Sequence, residues 1–162
     1  MNVFEHRSVL DHPPEEVFRW HTRPGAFERL LPPWEDVRVL ERTGGVETGS
    51  RVRLRISRGP AHFDWTVEHT SVEEGRSFTD EQVDGPFGAW KHEHRFLPAD
   101  DGGCVVHDRV QWKPPLGSLT SAFAVPWVEK ELGRLFRFRH RRLRHDLDRL
   151  APAPRTASST AG

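Results

Sequence analysis

Between Val37 and Trp112 apolar residues return at every second position, whereas from Ser118 to Leu150 they return at every third or fourth. Side chains alternate faces along a strand and share a face at i, i+3 and i+4 along a helix. The first stretch is therefore read as sheet and the second as one long helix. Arg51-Val52-Arg53-Leu54-Arg55-Ile56 shows the strand pattern most plainly, with Val52, Leu54 and Ile56 inward and the arginines in water. Turn residues at Gly44-Gly45, Gly49, Gly59-Pro60, Gly75, Gly85-Pro86 and Gly102-Gly103 divide the stretch into about six antiparallel strands. In the helix, Val128, Leu132, Leu135, Phe136, Leu143, Leu147 and Leu150 form a core-facing stripe, and Pro126 interrupts its front.

Ahead of the sheet, Val3 to Leu10 is a short β-prone segment that Asp11-His12-Pro13-Pro14 ends. Glu15-Glu16 opens a helix with acidic side chains where the dipole favours them, and Arg23-Pro24-Gly25 stops it. A second short helix, Ala26 to Leu31, ends at Pro32-Pro33-Trp34. The expected fold is α+β: a curved antiparallel sheet of seven strands, two short helices after the first strand, and one long C-terminal helix. One helix cannot fill the concave face of such a sheet, so an internal cavity is expected beneath it. Residues 1–150 are expected to form one domain. Residues 151–162 have nothing to bury and are expected to be a disordered tail.

Composition narrows the function classes. Lys+Arg and Asp+Glu both number 24, so no net charge draws the chain to nucleic acid or anionic lipid. The basic run Arg134 to Arg144 in the long helix is offset by neighbouring acids and is read as a solvated face. Cys104, the single cysteine, can form neither an internal disulfide nor a thiolate metal site, which suits a cytoplasmic location. The first residues carry no secretory signal, and no apolar run is long enough to span a bilayer.

The chain resembles the START/Bet v 1-like (SRPBCC) superfamily of polyketide cyclases and lipid carriers. More narrowly, it is similar to a bacterial branch found alone or fused to an epimerase-like short-chain dehydrogenase. Phe18-x-Trp20-His21-x-x-Pro24-Gly25-Ala26-Phe27-x-Arg29-Leu30-x-Pro32-Pro33-Trp34 carries the resemblance, with Phe78-x-Asp80-x-Gln82-x-x-Gly85-Pro86-Phe87-x-x-Trp90-x-His92-x-His94-x-Phe96, Asp108-x-Val110 and Arg139. The resemblance implies the helix-grip fold. It also implies binding of a small hydrophobic or amphipathic ligand, as a carrier, sensor or partner protein, with cyclase/dehydratase-like catalysis and a regulatory interaction module for an epimerase-like dehydrogenase as the alternatives. No Gly-x-Gly-x-x-Gly follows a strand, so an epimerase-like dehydrogenase partner would be a separate protein.

The pleat assigns Trp90, His92, His94 and Phe96 to one inward face. Phe78 and Asp80 join them from the strand before, Trp65 from an earlier one, and Asp108 and Trp112 from the last. Polar groups on an interior face must be satisfied by each other, by water or by a ligand. Arg139 interrupts the apolar stripe of the long helix and needs a carboxylate, for which Asp80 and Asp108 are the candidates. The expectation is a network of Asp80, His92, His94, Asp108 and Arg139, either holding the helix on the sheet or contacting a ligand. His92 and His94, with Asp80 or Asp108, have the spacing to share an ion. A hydrogen-bonded core role is the plainer reading, and no metal or cofactor is expected. Either histidine would serve as general acid or base in the cyclase alternative. Phe123 and Trp127, at the proline-loosened front of the helix, are expected either at the cavity mouth with the turn Gly85 to Gly88 or in plain helix–sheet packing.

Overall fold

The computed structural model describes residues 1–114 and 121–150, the side chains of 121–123 excepted. Strand β1 spans Asn2–Leu10, and two short helices follow it, α1 (Pro14–His21) and α2 (Ala26–Arg29). Then come β2 (Asp36–Thr43), β3 (Arg51–Arg58), β4 (Ala61–Glu73), β5 (Ser77–Asp84), β6 (Ala89–Pro98) and β7 (Cys104–Lys113), and finally α3 (Ser121–Leu150). All neighbours are antiparallel in one seven-stranded sheet of order β1-β7-β6-β5-β4-β3-β2. The expected α+β architecture is present. Among the described residues no helix is long and apolar enough to cross a membrane. The expected tail lies outside the described residues.

Each element follows from local chemistry. Pro14 begins α1, where a missing N–H costs nothing, and Glu15 and Glu16 fill its first turn. Gly25, at φ 80°, makes the left-handed corner between α1 and α2 that a side chain would resist. Helix α3 runs on through Pro126 instead of breaking there. The residue sits in the first turns, where its ring removes a single bond near the helix end.

The sheet turns one face onto α3, and in β6 the pleat separates buried Trp90, His92, His94 and Phe96 from the more exposed Lys91, Glu93, Arg95 and Leu97. The core divides in two. One cluster joins Val17, Phe18 and Trp20 of α1 to Phe78, Phe96, Val106, Leu143 and Leu147. The other joins Trp90, Val110, Trp112, Leu132 and Phe136, with Phe4, Trp65 and Phe87 at its edge. Histidines and aspartates of the same face occupy the sheet between them.

Candidate functional site

Strand register assembles the polar belt. Asp108 of β7 pairs across the ladder with His6 of β1 on one side and His94 of β6 on the other. Asp80 of β5 likewise stands between His92 of β6 and His69 of β4. Directly opposed residues project to the same face, so the two carboxylates are each set among imidazoles.

Their hydrogen bonds run across the strands. His92 Nε2 donates to Asp108 Oδ1 at 2.7 Å. His94 donates from Nε2 to Asp80 at 3.0 Å, and its Nδ1 lies 2.9 Å from Asp108 Oδ1. His140 reaches down from α3 and donates Nε2–H to the second oxygen of Asp108 at 2.6 Å, while its Nδ1 meets Ser8 Oγ at 2.8 Å. His69 Nδ1 lies 2.5 Å from Asp80 Oδ1. Asp108 thus receives two imidazole donors with a third imidazole beside it in a site only 4% exposed, and Asp80 has two imidazoles beside it. A buried carboxylate is tolerable under such conditions.

Charge in the belt is uneven. Burial disfavours a charged His94, but the carboxylates of Asp108 and Asp80 outweigh it and raise its pKa to about 9. Its ring also stacks on Phe78 with centroids 3.9 Å apart, a geometry that favours the cation. Burial, reinforced by the positive charge of His94, lowers His92 to about 4. Although burial alone would raise them, Asp80 and Asp108 are both held well below the usual carboxylate range by their imidazole partners. Two anions therefore flank one imidazolium.

The helix partner of Asp108 corrects the expectation for Arg139. His140, four residues after Phe136 and three before Leu143, lies on the most buried stripe of α3 and takes that role. Arg139, three residues after Phe136 and four before Leu143, lies on the opposite flank of the same stripe and is less buried. Its Nε donates to the Leu30 carbonyl at 3.3 Å, its guanidinium lies over Phe136, and no carboxylate of the described residues pairs with it.

One cavity of about 380 Å³ opens beside the belt. Leu30, Val46, Val52 and Val67 supply apolar wall, and Phe78, Asp80, His94 and Arg139 stand at its protein-enclosed end. Exposed lining residues mark its mouth at the α1–α2 turn, Thr22 to Pro24, and the β2–β3 turn, Arg42 to Gly45. Of the expected site residues, those four reach the cavity wall. His92, Phe96 and Asp108 are packed behind it, while Trp65, Trp90 and Trp112 belong to the second cluster.

The expected mouth is also corrected. Trp127 is 50% exposed and lies under Arg58 in a shallow groove formed by β2, β3 and α3, away from the cavity. The Gln82 amide clamps the Gly85 to Gly88 turn by bonding both backbone groups of Phe87, whose ring packs against Trp65 and Trp90. The side chain of Phe123 lies outside the described residues.

Three further histidines belong to the site. His69 lies two residues beyond Val67 on β4, so the pleat rule that placed Trp65 inward would have found it. His140 was legible from its three-and-four spacing to Phe136 and Leu143. His21 ends α1, donates Nδ1–H to the Val17 carbonyl at 2.8 Å and lines the cavity, with its pKa lowered to about 4 by burial and by His94. No periodicity marks it, because its contact with the cavity comes from the turn of the chain at Thr22.

Asp80, His92 and His94 place donor atoms within 4.8 Å of one another, a spacing that a metal ion would accept. Their nitrogens are already aimed at carboxylate oxygens at hydrogen-bond distances, and a cation there would have to displace the proton of His94.

Comparison with solved structures places the fold in company. Norcoclaurine synthase from Thalictrum flavum superposes with a TM-score of 0.70 at 11% identity, over 94% of this chain and 89% of that one. A START superfamily protein from Mycobacterium smegmatis gives 0.66 at 12% identity, covering 92% and 99%. A nucleoside-diphosphate sugar epimerase from Corynebacterium glutamicum gives 0.63 at 26% identity, and there 91% of this chain matches 29% of the other. No curated protein matches by sequence. The profile of the family described as polyketide cyclase / dehydrase and lipid transport covers residues 10–139, which takes in both carboxylates, His69, His92, His94 and Arg139 and stops just before His140. On that span the chain belongs to the polyketide cyclase / dehydrase and lipid transport family.

Proposed function

We propose that the protein binds a small amphipathic molecule in the cavity between the α1–α2 turn, β2–β5 and α3, as a carrier or sensor. The observation that carries this reading is the cavity's division into an apolar wall and a polar end. A site of this size takes a molecule with a hydrophobic body and a few oriented polar groups. The Asp–His belt supports that reading as a floor, since His92, His94 and His140 are hydrogen-bonded to its carboxylates.

Cyclase/dehydratase-like turnover is the alternative, favoured by His94 and Asp80 reaching the cavity wall. His94 Nε2 is hydrogen-bonded to Asp80 and its Nδ1 lies 2.9 Å from Asp108, so a carboxylate stands beside each ring nitrogen, which favours binding. Regulation of a separate epimerase-like dehydrogenase is a further reading, supported by the Corynebacterium chain that contains a similar region.

The test is to purify the protein from its own host and identify what co-purifies by native mass spectrometry, beside a Val67→Trp variant that fills the cavity. A bound small molecule present in the wild type and absent from V67W is the expected result. An adduct equally present in both would place binding elsewhere and refute the reading.

A further inference from the structure

Resting on the binding reading above, we infer that the ligand carries an anionic head group, a carboxylate or another oxyanion, and that Arg139 is the residue that receives it. The argument is one of unmet hydrogen-bonding capacity at the enclosed end of the cavity. Asp80 and Asp108 have their imidazole partners. Arg139 has one weak protein hydrogen bond, from Nε to the Leu30 carbonyl at 3.3 Å, and an aromatic face beneath it. A guanidinium offers five donors in a planar fork that matches a carboxylate, so most of its capacity is directed at no group of the described protein.

Burial makes that expensive. Arg139 is only partly exposed, lines the cavity, and has its pKa lowered by desolvation, with Asp108 and Asp80 acting on it only through the field. An oxyanion delivered on an apolar body would remove that cost, because a charge-assisted, bidentate pair in a partly dry site is among the stronger polar contacts. The cavity's wider electrostatics agree. Arg23, Arg42 and Arg51 also line it, while Asp80 is the sole acidic lining residue among those described. Arg42 and Arg51 are paired with Glu28 and Glu68 and so do not compete with the inner site for an anion. The apolar body would then lie along Leu30, Val52 and Val67 toward the mouth.

Two fluorescent probes with one apolar body test this, anilinonaphthalenesulfonate and phenylnaphthylamine, which differ by the sulfonate. The wild type should bind the sulfonate at least about tenfold more tightly. Arg139→Gln should abolish that preference while leaving phenylnaphthylamine within about twofold, and Arg139→Lys should restore part of it. Decanoate should displace the probe where decanol does so only weakly. V67W should lose both probes.

Equal affinity of the wild type for the two probes would overturn the anionic head group and leave the cavity reading standing. Equal weakening of both probes in R139Q would do the same, since it would show a collapsed cavity in place of a lost anchor. Binding of phenylnaphthylamine without the sulfonate would overturn the anchor alone, whereas failure of both probes to bind, or sulfonate binding that survives V67W, would overturn the anchor and the cavity reading together.

Discussion

Removing the proton from His94 should cost the native state about 3 kcal/mol. The pKa of His94 is about 9 in the folded protein against an ordinary 6.5. Each tenfold change in proton affinity is worth about 1.4 kcal/mol, and the gap spans two to three such steps. Because the folded value lies above the unfolded one, the stabilisation is complete below pH 6.5 and is lost as pH rises through 9. The acid limb has the opposite origin. His92 and His21 are buried neutral with pKa values lowered to about 4, so the unfolded chain takes up protons first and stability falls as pH drops from 6.5 toward 4. A stability maximum close to pH 6.5 results. Urea unfolding followed by tryptophan fluorescence across this range measures it, and the midpoint should move while the slope m stays constant. In His94→Gln the alkaline limb should be flat between pH 6.5 and 9. A wild-type midpoint that does not move over that interval would refute the reasoning, as would an equal movement in H94Q.

Other perturbations have equally definite outcomes. Asp108→Asn leaves three buried imidazoles competing for one carbonyl oxygen, and a loss of about 3–5 kcal/mol is expected in the same urea assay. Phe136→Ala, at a ring 1% exposed that touches Phe4 and His92, should cost about 3–5 kcal/mol through the cavity it opens, read as a lower thermal midpoint. Gly85→Ala would drive a Cβ into the Trp65 ring and the Gln82 amide, so about 1–3 kcal/mol should be lost and near-ultraviolet circular dichroism of the tryptophans should change. Cys104 is fully buried and burial pushes its thiol up to about 12, so a thiol reagent at neutral pH should label it only as fast as the protein unfolds.

What could be read from the residues was whatever depends on local period and on the face a side chain takes. Alternation in β3 and β6, the Pro-Pro stops around the short helices, and the three-and-four stripe of α3 each state a structure within one turn or one strand. The same rule collected Asp80, His92, His94 and Asp108 on the inner face, because a strand's pleat fixes sidedness wherever its register is known. Arg139 was the instructive error. Its place in the apolar stripe calls for a carboxylate partner, and Asp80 and Asp108 are the inward candidates. The neighbouring His140, about 100° around the helix on the other flank of the stripe, is the one that faces Asp108.

Tertiary structure alone decided where the empty space lies. Periodicity tells which residues turn inward but not how far α3 stands from each strand, and that separation is set by the packing of the two core clusters. Trp65, Trp90 and Trp112 close the sheet against Leu132 and Phe136 at one end, so aromatic residues expected around a ligand fill the volume themselves. At the other end α1 and α2 hold the chain away from β2 and β3, and a hollow remains with Arg139 at its inner wall. The sequence by itself thus determined the sheet, the helix and the inward polar belt, since these follow from spacing along one chain. The cavity's position, its mouth and the unpaired guanidinium within it depend on distances between segments far apart in that chain, and only the packed fold could set them.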